Sequence, residues 1–363
     1  MVVKFFDSPD GVRNNNELFI FATEHVLSFE YEKNFTKAGS FELGLSFERG
    51  TLEKLYNNAL AEINGEWLII ESIGYDYKKI YLTGHGLGSV LNRRVSTFIP
   101  DAQEPGTQGY DAVSGTTAQC IEHYINNNFI SPADEEREMP MSFIAGGVTG
   151  IVSDGYMARL ENCADIITEL CENAGIGFET DLSGGIIRII LKNTVDKSIG
   201  QSDRPRVIFS AERGNVTEIS FEHSTGNYYN AVYATGADVT QTVYRRPWII
   251  PEGIDRRECA TDVSVESVED IRDYALKAVE NNTETHSYDL AVPSGDYGRK
   301  YEIGDIVTIE EKELGRRYTA TITAVQFSFS AEKKNVRITL DRAKPKLLNT
   351  IINNVMNKTA RRN

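Results

Sequence analysis

The chain has 363 residues, 40% of them hydrophobic and 25% charged, a composition that suits folded domains and argues against disorder of the whole. That length exceeds what one core usually sustains, so two or more packed units are expected. A formal charge of −15 argues against a surface that reads nucleic acid, which needs a clustered basic face.

The first residues lack the basic region and apolar core of a signal peptide, and no apolar run reaches the ~20 residues of a spanning helix. The protein is therefore expected to stay soluble where it is made, or to leave the cell only within a particle. Residues 18–21, 26–31 and 41–47 alternate apolar with polar or small side chains, the period of half-buried strands. Residues 51–60 read as a short helix, with Thr51 as N-cap and Leu52, Leu55, Tyr56 and Leu60 on one side. Strand pattern returns at 67–70 and 79–83, and short strands at such spacing suggest a small barrel. The glycine-rich stretch 84–89 fits neither phosphate-loop nor dinucleotide spacing. It is read as a tight lead-in to a helix over 89–95 capped by Ser89.

Residues 100–115 and 131–140 read as polar loops, the second carrying a solvated acid cluster at 134–138. Between them, 116–129 is helical in pattern, with Ile121, Tyr124 and Ile125 as its apolar side. A stronger amphipathic helix covers 159–174, placing Leu160, Cys163, Ala164, Ile167, Leu170 and Cys171 at i, i+3, i+4 spacing, with Gly175 as its left-handed cap. Phe178 and the run 186–191 predict a hairpin turned at 183–185. Strands follow at 207–210, 216–222 and 230–234, with turns at Gly214 and Gly226. A helix over 266–279 buries Val268, Ile271, Ala275 and Val279. Strands at 285–292, 306–311, 318–330 and 335–340 suggest a second barrel. In the tail, Leu348, Ile352 and Val355 form an apolar stripe too short for an autonomous coiled coil. It either packs back on the barrel or meets partner chains, and these three are the candidate interface residues.

No catalytic, metal or cofactor constellation is apparent, so no cofactor is expected. None of the five histidines has H-E-x-x-H or H-x-H spacing, and no nucleophile elbow occurs. Cys120, Cys163, Cys171 and Cys259 form no C-x-x-C pair, and helical rise separates Cys163 from Cys171 by about 12 Å, too far for a disulfide. Free buried thiols in a reducing cytoplasm are expected. A glycosidase carboxylate pair has no local signature. Tyr228, Tyr229, Trp67 and Trp248 would suit a carbohydrate-binding module through ring stacking.

Three blocks of residues resemble the siphovirus Gp37-like tail hub family. The first ends in 81–94, where Gly84, Leu87, Leu91 and Arg94 match the family's glycine, leucine and arginine positions. The second runs from Gly214, Asn215 and Val216 through Asn230 to Gly236. The third is Gly304, Asp305, Ile306 and Val307 with the strands that follow. The resemblance covers about residues 2–345 and extends in architecture to the hubs of contractile tails and to the amino-terminal part of tail-associated proteins. It implies an α+β, mainly β fold. Two tube-like β-barrel domains at 2–99 and 206–343 would flank a mixed helix and hairpin insertion at 100–205, with a helical tail at 344–363. It implies a structural, non-enzymatic homotrimer, an adaptor between the sixfold tail tube or distal tail protein and the threefold tail tip. Two barrels in each of three subunits would give six similar faces. The implied partners include the tape measure protein and receptor-binding or tip proteins. Genomic DNA would pass through an acidic channel without specific binding. The implied location is the virion tail tip, after assembly in the bacterial host cytoplasm. A tail-associated peptidoglycan hydrolase and a carbohydrate-binding module are the alternatives.

Overall fold

The computed structural model describes residues 1–9, 19–97, 109–226, 228–236, 239–246, 248–262, 271–272, 275–276, 278–279, 284–313, 315–330 and 334–341. The tail stripe Leu348, Ile352 and Val355 lies outside them. The described chain divides into two units, Met1–Ile219 with Asp289–Asn363, and Ser220–Tyr288.

The first unit opens with seven strands: β1 (Val3–Phe6), β2 (Phe19–Thr23), β3 (Val26–Asn34), β4 (Ser40–Ser46), β5 (Leu60–Ile63), β6 (Glu66–Tyr75) and β7 (Lys79–Gly86). Their alternating side chains enclose a core that includes Phe5, Leu43, Leu45, Leu68, Ile70, Ile80 and Leu82. The helix expected over 51–60 is confined to one turn, α1 (Arg49–Leu52), and Leu60 instead opens β5. Asn58 ends any helical path by taking φ 72°, from which its N–H donates to the Ile70 carbonyl at 2.7 Å.

The helix expected over 89–95 is a 3₁₀ turn, Leu87–Arg93, and Gly84 and Gly86 still belong to β7. Ser89 caps nothing: its hydroxyl is buried without a protein partner. The middle of the chain adds β8 (Asp111–Thr116), α2 (Thr117–Ile125) with a π turn at Asn126–Ile130, β9 (Met141–Ile144), β10 (Val152–Ala158), α3 (Cys163–Ala174), β11 (Ile176–Ser183) and β12 (Ile186–Asn193). Strand β8 lies largely within the polar loop expected over 100–115, while β9 and β10 fall on residues for which no element was expected. The amphipathic helix starts later than its pattern suggests, because Leu160 adopts φ 54° and Asn162 caps Ala164 N–H at 2.8 Å. Gly175 ends it in the left-handed conformation, as expected, and β11 and β12 form the expected hairpin over Gly184 and Gly185. One core joins α2, α3 and this hairpin through Ile121, Tyr124, Ile167, Leu170, Phe178 and Ile189.

The remaining strands are β13 (Val195–Asp196), β14 (Ile208–Phe209), β15 (Glu218–Ser224), β16 (Ala231–Gly236), β17 (Val239–Tyr244), β18 (Glu258–Asp262), β19 (Thr285–Val292), β20 (Asp305–Glu311), β21 (Arg316–Ser330) and β22 (Lys334–Asp341). Strands expected in two separate barrels share one 14-stranded sheet, in the order β15-β19-β22-β21-β3-β4-β7-β6-β5-β1-β2, with β20 branching from β21 and pairing β13 and β14. The junction is the antiparallel pair β3–β21, which sets Tyr31 opposite Phe327 and Phe29 opposite Phe329. No pairing among the described residues closes this sheet into a cylinder. The mainly β, α+β character holds.

The second unit contains the three-stranded sheet β17-β16-β18. Its core packs Val232, Ala234 and Val243 against Ile271, Ala275 and Val279, the last three on the described part of the helix expected over 266–279.

Candidate functional site

The residues that carried the family resemblance converge on backbone geometry, not on a reactive centre. A Cβ on Gly84 would lie 1.9 Å from the Ile69 carbonyl oxygen, so this glycine lets β6 approach β7. Leu87 and Leu91 are fully buried. The Arg94 guanidinium donates to the Arg137 carbonyl at 3.2 and 3.3 Å and to its neighbour Arg93 at 3.0 Å. Asn215 imitates a strand partner: its amide donates to Ile208 O at 2.7 Å and its oxygen accepts from Ser210 N at 3.0 Å. Asn230 repeats the device in the second unit, donating to Asp255 O at 2.6 Å and accepting from Arg257 N at 2.8 Å.

Gly304 has φ 88°, and a Cβ there would strike the Phe35 ring at 2.4 Å. The adjoining Asp305 carboxylate is buried, accepts the Glu302 N–H at 2.7 Å and pairs with Lys197 at 2.7 Å. A turn satisfied this completely is a structural part.

All five histidines face carboxylates: His25 with Glu48 at 3.6 Å, His85 with Glu71 at 2.8 Å, His123 with Asp111 at 2.6 Å, and His223 and His286 both with Glu284. The most enclosed pair, His123–Asp111, joins α2 to the start of β8, where Tyr124 also donates to the Asp111 carbonyl at 2.7 Å. Among the described residues, the other hydrogen-bond partner of His123 is Asn127, so the pair has no hydroxyl or thiol to activate. Burial pushes the Cys163 and Cys171 thiols up to about 12, which keeps them protonated and unreactive. All four cysteines are free, three of them buried. A surface depression lined by Phe21, His25, Glu48, Thr51 and Lys54 contains the loose His25–Glu48 pair, a Thr51 hydroxyl that donates to Glu48 at 3.3 Å, and the Lys54 ammonium 5.4 Å over the Phe21 ring. Trp67 is partly buried and packs against Phe6 beside the core, with ring centroids 4.9 Å apart.

The surface is more informative. In the second unit Trp248, Ile249, Ile250 and Ile254 are exposed within seven residues, Ile254 at 96% and Trp248 at 77%. Such concentrated apolar exposure is uncommon on proteins that remain alone in water.

Residues 12–245, well over half the chain, match the family described as Siphovirus ReqiPepy6 Gp37-like protein. The chain belongs to that family. Residues 205–351 also match the family described as prophage endopeptidase tail. A search of curated proteins finds no match. Among solved structures, the chain is similar to the 43 kDa tail protein of prophage MuSo2 from Shewanella oneidensis. That match has TM-score 0.56 and 11% identity, covering 95% of this chain and 98% of the other. The tail protein from Neisseria meningitidis MC58 gives TM-score 0.54 and 14% identity over the same shares. A chain of the Francisella PdpA–VgrG complex gives TM-score 0.51 and 11% identity, covering 95% of this chain and 53% of that one. At such identities these likenesses establish the fold. With the family membership, they make this Gp37-like chain a structural protein of the phage tail or baseplate type.

Proposed function

We propose that this Gp37-like chain is the hub of a phage tail or tail-like particle, a homotrimeric adaptor between the sixfold tail tube or distal tail protein and the threefold tip. The family match over residues 12–245 is the observation that carries this reading. In it, regions 2–99 and 206–343 act as two tube-like halves whose sheets are completed by neighbouring copies. The open order of the large sheet, which among the described residues ends at β2 and β15, supports that part, since open strand edges invite a partner. Region 100–205 is the insertion between the halves, and 344–363 is the tail whose Leu348, Ile352 and Val355 meet partner chains. The charge of −15 suits a channel wall that lets DNA slide past without binding. Tape measure and tip proteins are the further partners, and the particle assembles in the host cytoplasm.

The chain is not itself an enzyme in this reading, because its family motifs are consumed by backbone support. A second reading, a tail-associated peptidase or wall hydrolase, draws on the description of the family matched by residues 205–351. Two measurements separate them. Cryo-electron microscopy of purified particles should show density for this chain as a ring at the tail tip, and the purified chain should release no soluble fragments from peptidoglycan. Particles that lack the chain, or fragment release that survives repurification, would replace the hub with the second reading.

A further inference from the structure

We propose that His223, Glu284 and His286 form a binding site for a zinc-like divalent cation within the second unit. Side chains two apart on a strand share a face. Phe221 and His223 therefore stand together on β15, and Glu284, His286 and Tyr288 on β19 and the residue before it. The structure brings the two rows together. The imidazoles of His223 and His286 stack with centroids 4.4 Å apart, and Phe221 lies against both His286 and Tyr288, at 6.1 and 4.8 Å.

Glu284 Oε2 lies 3.2 Å from His223 Nε2 and 3.9 Å from His286 Nε2, and donor atoms of the three residues all fall within 4.8 Å of one another. Ligands held about 2.1 Å from a tetrahedral ion sit about 3.4 Å apart, so the carboxylate already spans the required separation. Two imidazoles and one carboxylate suit zinc and its late first-row neighbours, whereas calcium and magnesium take oxygen ligands. The parallel rings mean that one imidazole must turn about χ2, a broad torsion, to aim its lone pair at the shared ion. Partial exposure of all three side chains, 42%, 45% and 25% for His223, Glu284 and His286, leaves room for that turn and for a water or a neighbouring chain's ligand in the fourth position. An ion here would tie residue 223 to residues 284–286, near both ends of Ser220–Tyr288. It would thereby close the unit's chain as a clip closes a loop.

The full-length chain, stripped of metal with chelator, should be titrated at neutral pH with Zn²⁺ and separately with Co²⁺. The expected result is one equivalent bound per chain, visible Co²⁺ bands of a four-coordinate site, and a Tm raised by Zn²⁺. His223→Ala, His286→Gln and Glu284→Gln should each weaken Zn²⁺ binding at least about tenfold. Their metal-free Tm should stay near that of the parent, which reports folding independently. His85→Ala, which removes a histidine paired with Glu71 elsewhere, should leave binding unchanged. Absence of saturable binding, binding unaffected by the three variants, or binding lost in His85→Ala would overturn the proposal.

Discussion

A Cβ at Gly84 would meet a backbone oxygen at 1.9 Å, an overlap that no rotamer relieves, whereas at Gly304 it would meet the Phe35 ring from a left-handed backbone. Gly304→Ala should cost about 2–5 kcal/mol, combining about 1–2 for left-handed strain with about 1–3 for overpacking. Gly84→Ala should cost at least as much, because β6 and β7 must separate. Gly74→Ala, with no atom within 4 Å of its Cβ, should stay within about 0.5 kcal/mol in denaturant unfolding. Equal losses at all three positions would contradict the close-approach explanation. A second test uses pH. Burial opposes ionisation of Glu62, but the Lys4 ammonium at 2.7 Å and the Gly65 N–H at 2.8 Å hold its carboxyl below the ordinary range. Ionised Glu62 therefore stabilises the fold fully above the unfolded value of about 4.3, and that contribution fades as pH falls through the lower folded value. Because Lys4 is half exposed, the effect is at most about 1 kcal/mol. Glu62→Gln should lower Tm at neutral pH and converge with the parent in acid; a pH-independent difference would refute the pairing. The motif residues were recognisable in sequence, but their roles were not. Gly84 looked like turn chemistry, and its purpose appears only beside Ile69.

At the scale of elements, α2 begins with a reciprocal cap. Thr116 Oγ1 accepts from Gln119 N–H at 3.3 Å, and Gln119 Oε1 accepts from Thr116 N–H at 2.8 Å. Thr116→Ala should cost about 1 kcal/mol, and Thr116→Ser should restore most of it, measured by chemical unfolding. Elements with strong local signals were legible: α3 from its apolar stripe and Gly175, the β11–β12 hairpin from its glycine pair, and β19 to its end residues. Elements that owe their existence to a remote partner were not. Strand β8 is polar and short, and it is a strand because Thr116 and Val152 are paired. Residues 51–60 have helical spacing, which the left-handed Asn58 overrides. The His–Glu–His cluster has no local signature for the same reason, since its members are split between 223 and 284–286 and meet only when β15 and β19 come together.

On the scale of the whole molecule, early and late strands join through β3 and β21, a pairing that sets Phe29 beside Phe329 across most of the chain. Periodicity identified the strands of that sheet but not their union, because register is set by partners that lie far away in sequence. The exposed Trp248, Ile249, Ile250 and Ile254 belong at this scale as well. If they are covered by neighbouring subunits, Ile254→Glu should weaken self-association while leaving the Tm of the dissociated chain within about 0.5 kcal/mol equivalent of the parent, as surface changes do. Unchanged association would remove that segment from the interface. The most direct measurement is native mass spectrometry of the purified full-length chain across a range of concentrations. A hub subunit should give a mass three times that of the single chain, whereas a single-chain mass that persists at every concentration would contradict the self-assembling ring on which the proposed function depends.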